Sequence, residues 1–216
     1  MDKLWQIRNK LTQLAILDTT KEVFGSESHQ YQLNPCLQEA EIQAFEAKYN
    51  IRLPCEYRNF LLEAGNGGVG PGYGLYRLPT MECETEITAI PSKENENFIS
   101  QPFPLKEAWN DLNLKIKDID SPNNPYFDHK FVQGTITIAN YGCGIYALLV
   151  VTGEQQGKIW IDDRTNDAGI YPASQNFCYY FHADEPDDQS CDDDRQALSF
   201  YDWYDDWLTQ SLLQVL

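Results

Sequence analysis

The sequence predicts an α+β fold, in which a mostly antiparallel sheet is packed by helices from the N-terminal and C-terminal parts of the chain. Two patterns carry this prediction. Apolar residues recur at helical spacing before residue 65 and after residue 197, whereas residues 134–162 show strand-like alternation and a continuous apolar run. Because 216 residues with 42% apolar side chains can bury a sizeable core, we expect a single domain over residues 1–216.

The first predicted helix belongs to an N-terminal extension over residues 1–28. Its apolar side chains share one side of a helix, and its charges are spread along the segment without a cleavage-site pattern. These apolar residues are Leu4, Ile7, Leu11 and Leu14. We therefore expect an amphipathic helix rather than a signal peptide. Because no run of 18 apolar residues occurs, no membrane span is expected.

Two further helices are predicted between residues 34 and 65. In the first, Asn34 is suited to the N-cap and Pro35 to the first helical position. In the second, Pro54 lies in the first turn, and Gly65 stands where a left-handed C-cap is expected. The apolar stripes of the two helices are Ile42, Phe45 and Tyr49, and Tyr57, Phe60, Leu61 and Ala64.

The run GNGGVG, residues 65–70, satisfies the G-x-G-x-x-G pattern of dinucleotide-binding loops. Such a loop must connect a strand to the start of a helix, because the helix N-terminus and the loop amides hold the pyrophosphate. Here a predicted helix precedes the glycines, and Pro71 and a strand-like segment at 74–78 follow them. The run is therefore predicted to be a helix stop and tight turn, and we expect no cofactor.

The middle of the chain changes from loops to strands. Residues 80–133 contain five prolines and several polar stretches, so loops are expected there, with a short helix near residues 104–112. Residues 134–162 predict an antiparallel meander of three strands. The middle strand, at 145–151, is continuously apolar and is expected to be buried on both faces.

The last predicted helix covers residues 197–213. Its apolar residues follow the spacing i, i+3, i+4, i+7 and i+8, which is typical of one buried helix face. They are Phe200, Trp203, Tyr204, Trp207 and Leu208. We expect this aromatic face to pack against the sheet.

The charge of the chain is strongly acidic, with 33 Asp and Glu against 16 Lys and Arg and a net charge of -17. Such a surface disfavours nucleic acid, whose binding requires cations at the phosphates. The densest acidic run lies at residues 182–195, HADEPDDQSCDDDR. Two interpretations stay open: a solvated loop, or a docking surface that steers a basic protein partner. The spacing of an EF-hand is absent, so no metal is expected.

Catalytic patterns are missing from the sequence. The three histidines are far apart, and neither H-E-x-x-H nor G-x-S-x-G occurs. Cys143 lies in a predicted turn without a neighbouring base or cation that would lower the pKa of its thiol. Asp162 and Asp163 are adjacent on a strand and should point to opposite sides. The six cysteines are irregularly spaced and are expected to be reduced, mostly as small apolar residues.

A set of short motifs occurs in order along the chain. The motifs are Phe45-Glu46, Leu53-Pro54, the helix with Tyr57, Arg58, Phe60 and Leu61, the turn Asn66-Gly67-Gly68, the segment Gly70 to Gly74, the strand Gly157 to Trp160 and the terminal helix FYDWYDDWL. Taken together, they resemble the SMI1/KNR4 family, also called the SUKH superfamily. The resemblance spans about residues 29–208 and does not include the 1–28 helix or the acidic run at 182–195.

This resemblance implies a SUKH-like fold in which the glycines form the turn between the second helix of the motif and the first strands. It also implies that the chain binds protein and has no catalytic activity. Bacterial proteins of this kind are immunity proteins that neutralise toxins delivered between competing cells, often nucleases. Fungal ones are regulators of cell-wall synthesis. The resemblance transfers no functional residues.

We therefore expect a cytoplasmic, non-catalytic protein that binds and neutralises a toxin, with a regulatory adaptor as the alternative and an enzyme as the third possibility. A basic, nuclease-type toxin would complement the acidic charge. No nucleic acid, membrane, metal or cofactor is expected. The predicted partner-binding residues are Asp184, Glu185, Asp187, Asp188, Asp192, Asp193 and Asp194.

Overall fold

The sheet follows the predicted meander and extends it by one strand. The computed structural model describes residues 3–79, 97–115, 124–175 and 196–216. Within them, four strands lie in the order β1-β2-β3-β4, and every neighbouring pair is antiparallel. The strands are β1 (Thr135–Gly142), β2 (Ile145–Val150), β3 (Ile159–Asp163) and β4 (Gly169–Pro172).

Strand β2 is the centre of the core. Four consecutive residues from Ala147 to Val150 are buried, so both faces of this strand are covered, as its apolar run predicts. A two-residue turn joins β1 to β2. Cys143 and Gly144 both have positive φ, 50° and 78°, which matches the twist that a tight hairpin needs.

Helices precede and follow the sheet, which confirms the α+β prediction. The described helices are α1 (Lys3–Leu17), α2 (Ser26–His29), α3 (Glu39–Tyr49), α4 (Cys55–Glu63) and α5 (Phe200–Val215). Short 3-10 turns occur at Leu112–Leu114, Pro125–Phe127, His129–Val132 and Arg164–Asn166.

The predicted start of helix α3 is wrong by several residues. The N-cap is Gln38, whose backbone N–H donates to the Glu41 carboxylate at 2.7 Å in a capping box. The preceding residues are engaged elsewhere: the N–H of Asn34 donates to Gly67 O, and the N–H of Leu37 donates to Leu61 O. These tertiary bonds hold residues 34–37 outside the helix.

The predicted C-cap of α4 is also wrong. Helix α4 ends at Glu63, its C-cap Ala64 has a right-handed conformation, and Gly65 is absent from the glycines with positive φ. Gly65 is needed for another reason: a Cβ at this position would lie 2.5 Å from the carbonyl oxygen of Asn34. Close backbone approach, rather than left-handed backbone, explains this glycine.

The short helix predicted near residues 104–112 does not form. Instead, the backbone of Trp109 exchanges two hydrogen bonds with Ile170, each 2.8 Å long, and so lines the outer edge of β4. A helix would need the same N–H and C=O groups for its own bonds. Pairing with the edge strand satisfies them here.

Helix α1 lies parallel to α5. Lys3 forms an ion pair with Asp202, Lys10 forms one with Asp205 at 2.6 Å, and further along Gln214 donates to Glu22 O. The four apolar residues predicted to share one side of α1 are all buried. The N-terminal extension is therefore packed on the last helix.

The aromatic face of α5 is buried as predicted, but it packs on helices α2 and α4 and on Val69 as well as on strand β1 of the sheet. The indole N–H of Trp203 donates to the Tyr141 hydroxyl of β1 at 3.1 Å. The Tyr204 hydroxyl donates to the carbonyl of Val69 at 2.7 Å. The ring of Trp207 packs against His29 of α2.

Trp207→Ala should destabilise the protein by about 3–5 kcal/mol, because it removes a large buried aromatic side chain from this junction. Leu213→Ala is the matched control on the same helix: Leu213 is 64% exposed, and its loss should cost less than about 0.5 kcal/mol. Chemical denaturation of both variants measures the difference. Equal losses would contradict the placement of the aromatic face.

Candidate functional site

The predicted acidic docking residues lie outside the described residues. All seven fall within residues 182–195, and their role stays a prediction. They are Asp184, Glu185, Asp187, Asp188, Asp192, Asp193 and Asp194.

The described ranges hold neither a metal-binding cluster nor a membrane-spanning helix. There, no group of three or more His, Cys, Asp or Glu residues is placed to hold a metal ion. Nor does any helix of that part of the chain combine the length and the apolar content needed to cross a membrane. The three described cysteines, Cys36, Cys55 and Cys143, are free and exposed. For these three, the prediction that cysteines act as small apolar residues is wrong.

The adjacent carboxylates Asp162 and Asp163 bind separate partners. Asp162 accepts two hydrogen bonds from the Arg164 guanidinium, at 2.7 and 2.6 Å, and Arg164 also donates to the carbonyl of Tyr126. Asp163 accepts from Asn166 at 2.6 Å, and burial raises the pKa of its carboxyl. The arrangement holds residues 126–128 against the end of β3, and it does not pair the two carboxylates for acid–base chemistry.

The glycine run forms a compact loop held by its own backbone. The N–H of Gly68 donates to Leu75 O at 2.9 Å and the N–H of Val69 donates to Gln32 O at 2.8 Å. The Asn66 side chain clamps the loop, since its Oδ1 accepts from the N–H of Leu78 and its Nδ2 donates to Leu78 O. The loop is therefore fixed on both sides.

This loop is not arranged as a dinucleotide site. The N–H groups of Asn66, Gly68 and Val69 already donate to backbone carbonyls, and α4 runs into the loop instead of starting from it. A dinucleotide site needs unpaired loop amides at a helix N-terminus. The geometry supports the interpretation of GNGGVG as a turn.

The glycines let the loop approach other backbones very closely. Gly67 has a φ of 75°, and a Cβ there would lie 2.6 Å from Tyr76 O. Gly74 has a φ of 104°, and a Cβ there would lie 2.5 Å from Gly68 O. A Cβ at Gly72 would collide with the carbonyl of Asn140 on β1. Larger residues cannot occupy these positions without moving the backbone.

At the end of this loop, Tyr73 is presented to solvent beside the tip of the β1–β2 hairpin. Its N–H donates to Asn140 O at 2.8 Å, its ring lies over Gly142, and its side chain is 47% exposed. The ring of Phe24, 38% exposed, contacts it at a centroid distance of 5.1 Å. Cys143 at the hairpin turn is exposed as well.

We call Phe24, Tyr73 and Cys143 the hairpin-tip surface. This surface was not predicted from the sequence. A signal was present, because Tyr73 stands between Gly72 and Gly74 in a predicted turn, where a core aromatic is not expected. The contact with Phe24 has no such signal, since the two residues are 49 positions apart in the chain.

Comparisons with known proteins identify the family. Residues 36–182, more than half of the chain, match the SMI1 / KNR4 family (SUKH-1). The matched range includes α3, α4, the glycine loop and all four strands, whereas α1, α2 and α5 lie outside it. No curated protein and no solved structure matches the chain significantly. The resemblance drawn from the sequence motifs is confirmed.

Gly67→Ala should cost about 2–4 kcal/mol of stability, because the new Cβ adds a backbone clash to an unfavourable φ. Gly157→Ala is the control: Gly157 also has a positive φ, 86°, but its nearest contact, with Pro54, is an ordinary 3.6 Å. It should cost about 1 kcal/mol.

Calorimetry of the wild-type protein with NAD, FAD and ATP should show no binding heat, and micromolar binding lost in Gly67→Ala would contradict the turn interpretation.

His29 predicts a loss of stability in mild acid. Its side chain is 8% exposed, its Nδ1 accepts from the N–H of Tyr31, and its Nε2 is without a partner among the described residues. Burial, reinforced by the charge of Lys21 and opposed by that of Asp18, lowers the pKa of His29 from 6.5 to about 4. Between these values the unfolded chain binds a proton that the folded chain excludes, so stability should fall as pH decreases from 6.5 toward 4.

The test measures unfolding free energy at several pH values in His29→Gln and in His129→Gln. His129 is exposed and serves as the control. Between pH 6.5 and 4, the change of unfolding free energy with pH should be smaller in His29→Gln than in the wild type. In His129→Gln it should stay as in the wild type. An unchanged pH dependence in the His29 variant would show that this imidazole is not excluded from protonation in the folded state.

Proposed function

Because the chain belongs to the SMI1/KNR4 family (SUKH-1), we propose that it is an immunity protein, which acts in the cytoplasm by binding and neutralising a toxin. The family assignment supports a role in protein binding, and family members are generally non-catalytic. Family membership is the observation that carries this proposal. The charge of the chain narrows the kind of partner.

The net charge of -17 favours a basic partner. A nuclease must engage phosphates and therefore tends to be basic, so a nuclease toxin would complement this surface. Residues 182–195 contain seven acidic side chains and a single cation, Arg195. We propose that this acidic run steers the toxin toward its binding site and helps to block the toxin's active site.

Binding rather than catalysis is also supported by the chemistry of the described residues. Asp162 is paired with Arg164, and Asp163 is buried and bonded to Asn166. His29 is enclosed between Tyr31 and Trp207. These groups stabilise the fold, and none of them stands with a second catalytic side chain in a described cleft.

The gene next to this one gives the first test. We expect an adjacent gene that encodes a large secreted toxin. The purified toxin domain should bind this protein, and the toxin should not harm cells that produce this protein. A neighbouring gene or co-purifying protein that is no toxin would instead support the regulatory adaptor.

Neutralising the acidic run to Asn and Gln should slow association with the toxin by roughly tenfold at low salt, because steering acts before contact. The effect should shrink as salt is added, since exposed charges are screened over about 8 Å at physiological ionic strength. Association and dissociation rates measured by surface plasmon resonance at several salt concentrations separate this effect from lost contacts.

A matched control separates the run from the total charge. Changing Asp192, Asp193 and Asp194 to Asn removes three charges from the run, and changing the exposed Glu63, Glu107 and Glu154 to Gln removes three from elsewhere on the surface. The first variant should associate more slowly than the second. Equal rates would mean that the run contributes only its share of the total charge.

A further inference from the structure

The hairpin-tip surface exposes two aromatic rings to solvent. Phe24 and Tyr73 are more than a third exposed, whereas Tyr141, Trp203 and Phe200 nearby in the fold are almost fully buried. Contiguous exposed aromatic surface is typical of protein interfaces, where Tyr is among the residues that contribute most binding energy. Tyr146 of β2, which is paired with Asn140 across the same hairpin, is also 37% exposed.

The backbone beneath this surface is fixed before any partner binds. The N–H of Tyr73 is bonded to β1, and Gly25 next to Phe24 lies so close to the carbonyl of Gly72 that a Cβ would collide with it. Rings held on such a backbone lose little conformational freedom on binding. This rigidity favours a binding role over an incidental exposure.

The charges beside the rings indicate the chemistry of the occupant. Glu22 and Glu27 are exposed on either side of Phe24 in the chain. The nearest cation along the chain from Phe24, Lys21, is engaged, because its ammonium lies over the Tyr31 ring at 4.9 Å and donates to Asp18 O. Aromatic faces next to carboxylates attract Arg and Lys side chains through cation–π and ionic interactions.

We propose that the hairpin-tip surface is the contact that holds the basic toxin after it has been steered to the protein. This inference rests on the proposed function and assigns its parts: the acidic run sets the association rate, and Phe24 and Tyr73 set the dissociation rate. Such a division is expected, because long-range charge acts mainly on encounter whereas buried aromatic contacts act on residence time.

The test measures the kinetics of the purified toxin domain on single and double Ala variants of Phe24 and Tyr73. Each single variant should dissociate at least about tenfold faster, with association changed less than about threefold. Trp5→Ala is the control, since Trp5 is 53% exposed on α1. It should leave both rates unchanged. Thermal unfolding of each variant confirms that the fold is intact.

A second measurement uses the wild-type protein and needs no substitution. Cys143 is exposed beside Tyr73, and Cys36 and Cys55 are exposed near the starts of α3 and α4. Thiol labelling followed by peptide mass spectrometry should show Cys143 protected in the complex, with Cys36 and Cys55 labelled at the same rate as in the free protein.

The outcomes separate the two proposals. The inference would be overturned if the toxin dissociated from the Ala variants at the wild-type rate and Cys143 stayed reactive in the complex. The proposed function would then still stand. A toxin domain that does not bind the wild-type protein would overturn the proposed function, and the inference would fall with it. Faster dissociation together with protection of Cys143 supports both.

Discussion

The fold depends on one steric constraint, the close approach of the glycine loop to two other backbone segments. Gly65 and Gly68 face residues 32–34, and Gly72 faces Asn140 of β1, at distances that leave no room for a Cβ. The loop therefore joins the segment before α3 to the edge of the sheet through backbone hydrogen bonds. The Tyr204 hydroxyl then binds the loop carbonyl at Val69, so the position of α5 also depends on this packing.

The N-terminal extension is attached by a different kind of interaction. Helix α1 buries apolar side chains against α5, each worth roughly 1.5–3 kcal/mol when fully buried. After α1, the buried Asp18 accepts hydrogen bonds from the Tyr31 hydroxyl and from the N–H groups of Glu22 and Val23. Although α1 lies outside the residues that match the family, its buried side chains are part of the core cluster.

The spacing of apolar residues along the sequence correctly predicted the helices and strands that bury one regularly spaced set of side chains. The stripes of α1, α4 and α5 and the apolar run of β2 could be predicted because burial repeats at the period of the element. The starts and ends that failed involve tertiary bonds. Asn34 is held by Gly67 and Trp109 by Ile170, and neither partner can be identified from nearby sequence. The hairpin-tip surface was missed for the same reason, because the exposure of Phe24 depends on a ring 49 residues away.

Protein recognition uses long-range charge attraction and short-range contact, and these two differ in how precisely the side chains must be positioned. A field of many carboxylates acts over several ångströms and depends little on the position of any one charge. A contact between rings and cations acts only at van der Waals distance, so it needs side chains in fixed places. In this chain the glycine loop meets the requirement of short-range contact, since the same close packing that joins the sheet to the helices also fixes Tyr73 at the surface. Under the proposed binding role of the hairpin-tip surface, stability and recognition are coupled: a change that loosens the loop, such as a side chain at Gly72, should weaken partner binding as well as the fold.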